Sequence, residues 1–172
     1  DEEPVVLCSV DWIGIGNEGQ DAWRESLAKA AGTSTDRVAV HTVHQHDGLN
    51  CDFTIEAILD EYGLGGWKSD TAFLRSAIRS VAVAVEQAKQ NARPVTHLGF
   101  GQAEVEKVAS NRRIIGEDGK VRITRWSRTT DTAAIAAPAG LIDPWLRCVS
   151  FWYGDQAIAV LNYYTTDPMS HH

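Results

Sequence analysis

At 172 residues, 44% of them apolar and 23% charged, the chain has the size and composition of one ordinary globular domain or a large part of one. Its net charge of −7 at pH 7 argues against broad electrostatic attachment to nucleic acid or to an anionic membrane surface. No apolar run approaches membrane-spanning length. Cys8, Cys51 and Cys148 are widely spaced and form no CxxC pair, which removes zinc-knuckle and thioredoxin-like readings and leaves small buried thiols.

Residues 4–10 (Pro-Val-Val-Leu-Cys-Ser-Val) are β-branched and almost wholly apolar, predicting a strand buried on both faces, as in a parallel sheet. It ends at Asp11-Trp12, before a glycine-rich turn, Gly14-Ile15-Gly16-Asn17. Residues 20–31 read as a helix with Trp23, Leu27 and Ala30 or Ala31 on one face, and Gly32 is its C-cap. After a loop at 33–36 the next strand covers 37–43. A strand–helix–strand unit of this length makes its two strands parallel, so Asp11 and His44 are expected at the same rim of the sheet.

Residues 52–62 predict a second helix carrying Ile55, Ile58 and Leu59 at helical spacing, broken by Gly63-Leu64-Gly65-Gly66. A third helix is expected over 71–91, capped by Asp70, with a stripe of Phe73, Leu74, Ala77, Ile78, Val81 and Val85. Beyond Arg93-Pro94 the pattern turns to β. It alternates over 95–105, and a hairpin turn at Glu117-Asp118-Gly119-Lys120 is flanked by Arg113-Ile114-Ile115 and Val121-Arg122-Ile123. A small-residue loop follows at 133–140, then strands at 146–153 and 157–164 joined by Gly154-Asp155.

The expected fold class is α/β: a mixed sheet with a parallel βαβ start flanked by helices, and antiparallel hairpins in the second half. Residues 1–172 are expected to form a single domain or a partial catalytic domain, incomplete at both ends. The chain opens Asp1-Glu2-Glu3-Pro4 without the basic start and apolar core of a signal peptide. It closes on Ser170-His171-His172 with no final helix, and the last two histidines read equally as native or as a tag remnant.

Three of the six histidines fall in His41-Thr42-Val43-His44-Gln45-His46-Asp47-Gly48. Open α/β sheets carry their chemistry at strand ends. On a strand, residues two apart share a face, so His44 and His46 could converge on one point, and neutral imidazole is a favoured zinc ligand. Asp47 could orient a ring. His41 has the opposite parity and reads as a satisfied buried histidine. The pattern does not fit His-x-His-x-Asp-His hydrolases, because Asp47 comes one residue early and no histidine follows. Nor does it fit barrels with His-x-His on the first strand, because a strand–helix unit precedes it.

Four segments, in order, resemble the neutral (non-lysosomal) ceramidase family: Leu7-Cys8-Ser9-Val10-Asp11; His44-Gln45-His46-Asp47-Gly48, where that family carries His-Thr-His-Ser-Gly-Pro; Gly101-Gln102-Ala103-Glu104-Val105 followed by Ser110-Asn111-Arg112; and the run 159–168, which ends in Thr165-Thr166-Asp167-Pro168. The resemblance implies zinc-dependent hydrolysis of an amide bond in N-acylsphingosine or another small-molecule or lipid amide. It implies a Zn2+ cofactor, His44 as a metal ligand, His46 beside the scissile amide, Arg112 as a substrate contact and Asp11 in support of the site. The family's second ligating histidine falls on Asp167, whose carboxylate can bind zinc through oxygen. Its remaining ligands, a Glu and a Tyr, come from later in the family's chain than this sequence extends. The resemblance also implies a secreted or extracytoplasmic protein. The alternative expectation is a non-catalytic ligand- or carbohydrate-binding domain with a decayed metal site, using the rim from Asp11 to Asn17 and Trp12, Trp67 and Trp126. A purely structural fragment is a third.

Overall fold

The computed structural model describes residues 3–126 and 128–166, and the chain divides into two compact units, one up to Ala92 and one from Arg93 onward. The fold is α/β, with parallel strand pairs in the first unit and antiparallel sheets in the second.

The N-terminal unit runs β1 (Val6–Val10), β2 (Gly14–Ile15), α1 (Asn17–Ala31), a 3-10 turn (Thr35–Arg37), β3 (Val38–Thr42), β4 (Asn50–Cys51), α2 (Phe53–Glu61) and α3 (Thr71–Gln90). As the crossover length requires, β1 and β3 are parallel, with Val6 opposite Val38 and Val10 opposite Thr42. α1 ends as its sequence predicts: Gly32 adopts φ 72° and its N–H donates to the carbonyls of Ala28 and Lys29. Asp52 and Asp70 cap α2 and α3, their carboxylates accepting the N–H of Ile55 and Phe73. Trp23 and Leu27 of α1, Val38 and Val40 of β3, Phe53 of α2, and Leu74 and Ile78 of α3 close one apolar core. Burying a side chain such as Leu27 contributes about 1.5–3 kcal/mol.

Four expectations are corrected here. β1 is buried on one face only. Val6, Cys8 and Val10 pack toward the core, while Leu7 stays 55% exposed. A single crossover covers one side of a two-stranded sheet, so Leu7 and Ser9, with their partners Ala39 and His41, line an uncovered face. For the same reason His41 is exposed, not buried. The stripe assigned to α2 is rotated as well: Phe53 and Glu56 are the buried residues, and Ile58 is exposed. Glu56 is 3% exposed, and neither carboxylate oxygen has a hydrogen-bond partner among the described residues. In α3 the stripe holds at Leu74 and Ile78, but Phe73 is exposed.

The C-terminal unit contains β5 (His97–Glu104), β6 (Arg113–Ile115), β7 (Val121–Thr124), α4 (Thr132–Ala136), β8 (Trp145–Tyr153) and β9 (Gln156–Tyr163). β5, β8 and β9 form an antiparallel sheet in that order, and β6 and β7 form the predicted hairpin, with Gly119 at φ 75° in its turn. Where a loop was expected, α4 forms. The Asp131 carboxylate accepts from the N–H groups of Ala133 and Ala134, and the alanines that follow are strong helix formers. Arg125 ties this region together, donating to the carbonyls of Asn111, Ala134, Ala137 and Pro138.

Cys51 is buried and Cys8 and Cys148 are half-buried, all as free thiols. Burial pushes the Cys8 and Cys51 thiols up. No helix among the described residues is long and apolar enough to cross a membrane.

Candidate functional site

The rim expected from the crossover is formed within the N-terminal unit. β1 and β3 both end there, and backbone hydrogen bonds join the segments that follow them. Val43 N–H donates to Val10 O at 3.4 Å, Gln45 N–H to Trp12 O at 3.2 Å and Ile13 N–H to Leu49 O at 2.9 Å. The turn closes on itself through Gly48 N–H to Gln45 O, at 3.0 Å. Asp47 N–H also donates to the Gln45 side-chain oxygen at 3.1 Å. Gly48 is required by this approach, because a Cβ there would lie 2.6 Å from Asp11 O and 2.8 Å from Trp12 Cα. The short parallel pair of β2 and β4 carries the same contact onward.

His44, Gln45 and His46 lie beyond the end of β3, so the two-residue strand repeat does not align the imidazoles. A left-handed kink does instead. His44 has φ 58°, a conformation that L-residues adopt at some cost and that histidine enters more readily than most. The rings of His44 and His46 then meet edge to face, with centroids 5.0 Å apart and planes at 80°. His44 is exposed and His46 half-buried.

The tautomer of His44 follows from its partner. Nδ1 lies 2.9 Å from the backbone oxygen of Ile13, which can only accept, so Nδ1 is the protonated nitrogen. In the neutral ring, Nε2 then carries the lone pair. Thr42 Oγ1 donates to the same carbonyl at 3.2 Å. A backbone carbonyl on one imidazole nitrogen is the usual support for metal ligation by the other.

The remaining expected residues belong to other segments of the chain. Asp11 is exposed, in the bend immediately after β1, and its backbone carbonyl faces Gly48. Arg112 belongs to the C-terminal unit, where its guanidinium carbon sits 5.0 Å from the centroid of the exposed Trp126 ring. Asp167 lies outside the described residues. Among the described residues no group of three or more His, Cys, Asp or Glu is gathered as a metal site. The donors on hand are therefore two imidazoles, which fit part of a zinc shell. Trp12 packs edge to face on Trp23 at 5.5 Å, so this indole is part of the rim's packing, whereas Trp67 and Trp126 are exposed.

Sequence reasoning missed the Ile13 carbonyl, the kink at His44 and the pairing of β2 with β4. Only Gly48 signalled them, as a residue placed where two backbones pass closely. Compared with protein-family models, curated proteins and solved structures, the chain matches none.

Proposed function

We propose that the turn at 44–48 is the ligand-bearing part of a zinc-dependent amide hydrolase site, with ceramidase-like chemistry on a lipid or other small amide. The observation that carries this reading is the bond from His44 Nδ1 to Ile13 O, which leaves Nε2 of an exposed ring as the metal-facing donor. Zinc in such a site supplies Lewis acidity, bringing the pKa of water to about 7 and polarising a carbonyl.

The chain's own groups have distinct tasks. His44 ligates through Nε2, held in register by the Ile13 carbonyl and by the hydrogen bonds that lace its turn to residues 10–13. His46 meets the reacting carbonyl and donates to the oxygen on which negative charge develops. Asp11, on the neighbouring strand end, supports the rim. The resemblance assigns Arg112 to substrate contact and Asp167 to the second ligand position. The resemblance to neutral ceramidases at four ordered segments supports the choice of amide hydrolysis over other zinc chemistry.

The test is zinc content after equilibrium dialysis, combined with release of fatty acid from N-acylsphingosine. The wild-type chain is expected to retain zinc and His44→Ala to lose it. His46→Ala is expected to keep the metal while hydrolysis falls by about 10²–10³-fold, the usual loss for one oxyanion donor. A wild-type chain that takes up no zinc would overturn the reading.

A further inference from the structure

Away from the histidine turn, α1 and α3 of the N-terminal unit enclose an open groove of about 330 Å³, lined by Ala22, Glu25, Ser26, Lys29, Arg75, Ile78 and Arg79. Its charge is opposite to that of its surroundings. Residues 1–92 contain seven Lys and Arg against fifteen Asp and Glu, yet three of those seven cations line the groove and only one of the fifteen carboxylates does. Arg75 and Arg79 are four residues apart on α3 and so share a face, as do Ser26 and Lys29 on α1, three apart.

These cations also differ from others in the unit by what they touch. Arg24, Arg37 and Lys89 donate to backbone carbonyls and so serve the fold. Arg75 stacks over the Phe53 ring, its guanidinium carbon 4.0 Å from the centroid, which fixes the plane of its donors. The side chains of Lys29 and Arg79 have no hydrogen bond or ion pair among the described residues, and Glu25, four residues before Lys29, pairs with neither. Ala22 and the buried Ile78 give the groove apolar walls. Three like charges around one concavity repel one another, and an anion with several acceptor oxygens relieves that repulsion while satisfying the arginine forks.

We propose that this groove binds a phosphate-bearing ligand, its oxygens accepting from Arg75, Arg79 and Lys29 and from the Ser26 hydroxyl. The site is separate from the histidine turn and does not rest on the metal reading. The shared chemistry is a terminal phosphate with two or more free oxygens, carried either by a soluble molecule or by a lipid headgroup.

The experiment titrates the chain calorimetrically with pyrophosphate and, in parallel, measures its co-sedimentation with phosphatidylcholine vesicles with and without phosphatidic acid. Saturable binding is expected with at least one probe, weakening as salt is raised. Binding to pyrophosphate alone identifies a soluble ligand, whereas retention that requires phosphatidic acid identifies a headgroup. Arg79→Gln and Lys29→Gln, both exposed changes with unaltered melting midpoints, are each expected to weaken binding about tenfold, the loss of one charge-assisted hydrogen bond. Glu25→Gln is expected to strengthen it, because it removes the one carboxylate in the groove. Absence of saturable binding to both probes would overturn the proposal, as would equal affinity in the wild type and the Arg79→Gln/Lys29→Gln double variant.

Discussion

The two units of this chain solve the burial problem differently. In the N-terminal unit three helices and a parallel strand pair surround Trp23, Leu27, Leu74 and Cys51, each at most 1% exposed. In the C-terminal unit Ala134 is the only described apolar residue buried to a comparable degree, and Phe100 in the middle of β5 remains 78% exposed. The first unit is held by packing, the second by strand ladders, a hairpin and the carbonyl hub of Arg125. A residue's consequence for stability should therefore depend on which unit carries it.

The largest expected contrast comes from paired truncations. Leu27→Ala should cost about 2–5 kcal/mol in urea unfolding, as a fully buried leucine in a closed core. Phe100→Ala should change stability by no more than about 0.5 kcal/mol, because its ring is already in solvent. A large loss at Phe100 would mean that this face is covered in solution. Next is Gly48→Ala, whose added methyl collides with Asp11 O and Trp12 Cα; overpacking of this kind costs about 1–3 kcal/mol, and loss of the edge-to-face contact of His44 and His46 by NMR should accompany it.

The core of the first unit also contains a misfit. Glu56→Met should raise the unfolding midpoint, by about 1 kcal/mol or more in stability, because it removes two buried oxygens that have no hydrogen-bond partner among the described residues. The smallest effect is expected in the C-terminal unit at Asp143. The Arg147 guanidinium, 2.7 Å away, and the Trp145 N–H hold this carboxyl below its usual range. With the folded-state pKa lowered, the contribution is present above the ordinary carboxylate pKa and is lost as pH falls through the lowered value. Asp143→Asn should therefore melt slightly below the wild type at neutral pH, and the difference should vanish in acid. A gap that widens in acid would contradict this assignment.

What was legible in the sequence follows the same division. Helices with caps were readable: Gly32 and Asp70 mark their ends through local chemistry that needs no partner elsewhere, while Asp52, expected as the first residue of its helix, is its cap. Alternating runs and the turns at Gly119 and Gly154 located β6 through β9, with α4 the exception between them. Coverage was not readable. An apolar run such as 4–10 looks the same whether one face or two will be buried, and only the number of elements packed on the sheet decides. The rotation of α2 toward Phe53 and Glu56 failed for the same reason, since the face is chosen by contact with α1 rather than by the helix's own stripe. At the histidine turn, the parallel crossover correctly put Asp11 and His44 at the same rim. The interaction that fixes His44 runs to a backbone carbonyl, which leaves no side-chain signature at Ile13.

That interaction offers the most direct measurement, long-range nitrogen–proton NMR of the imidazole rings during zinc titration. The account predicts that His44 is protonated at Nδ1 before metal is added, that its Nε2 resonance moves on addition of zinc, and that His44→Ala abolishes uptake. A His44 ring protonated at Nε2, or one whose nitrogens ignore zinc, would contradict it.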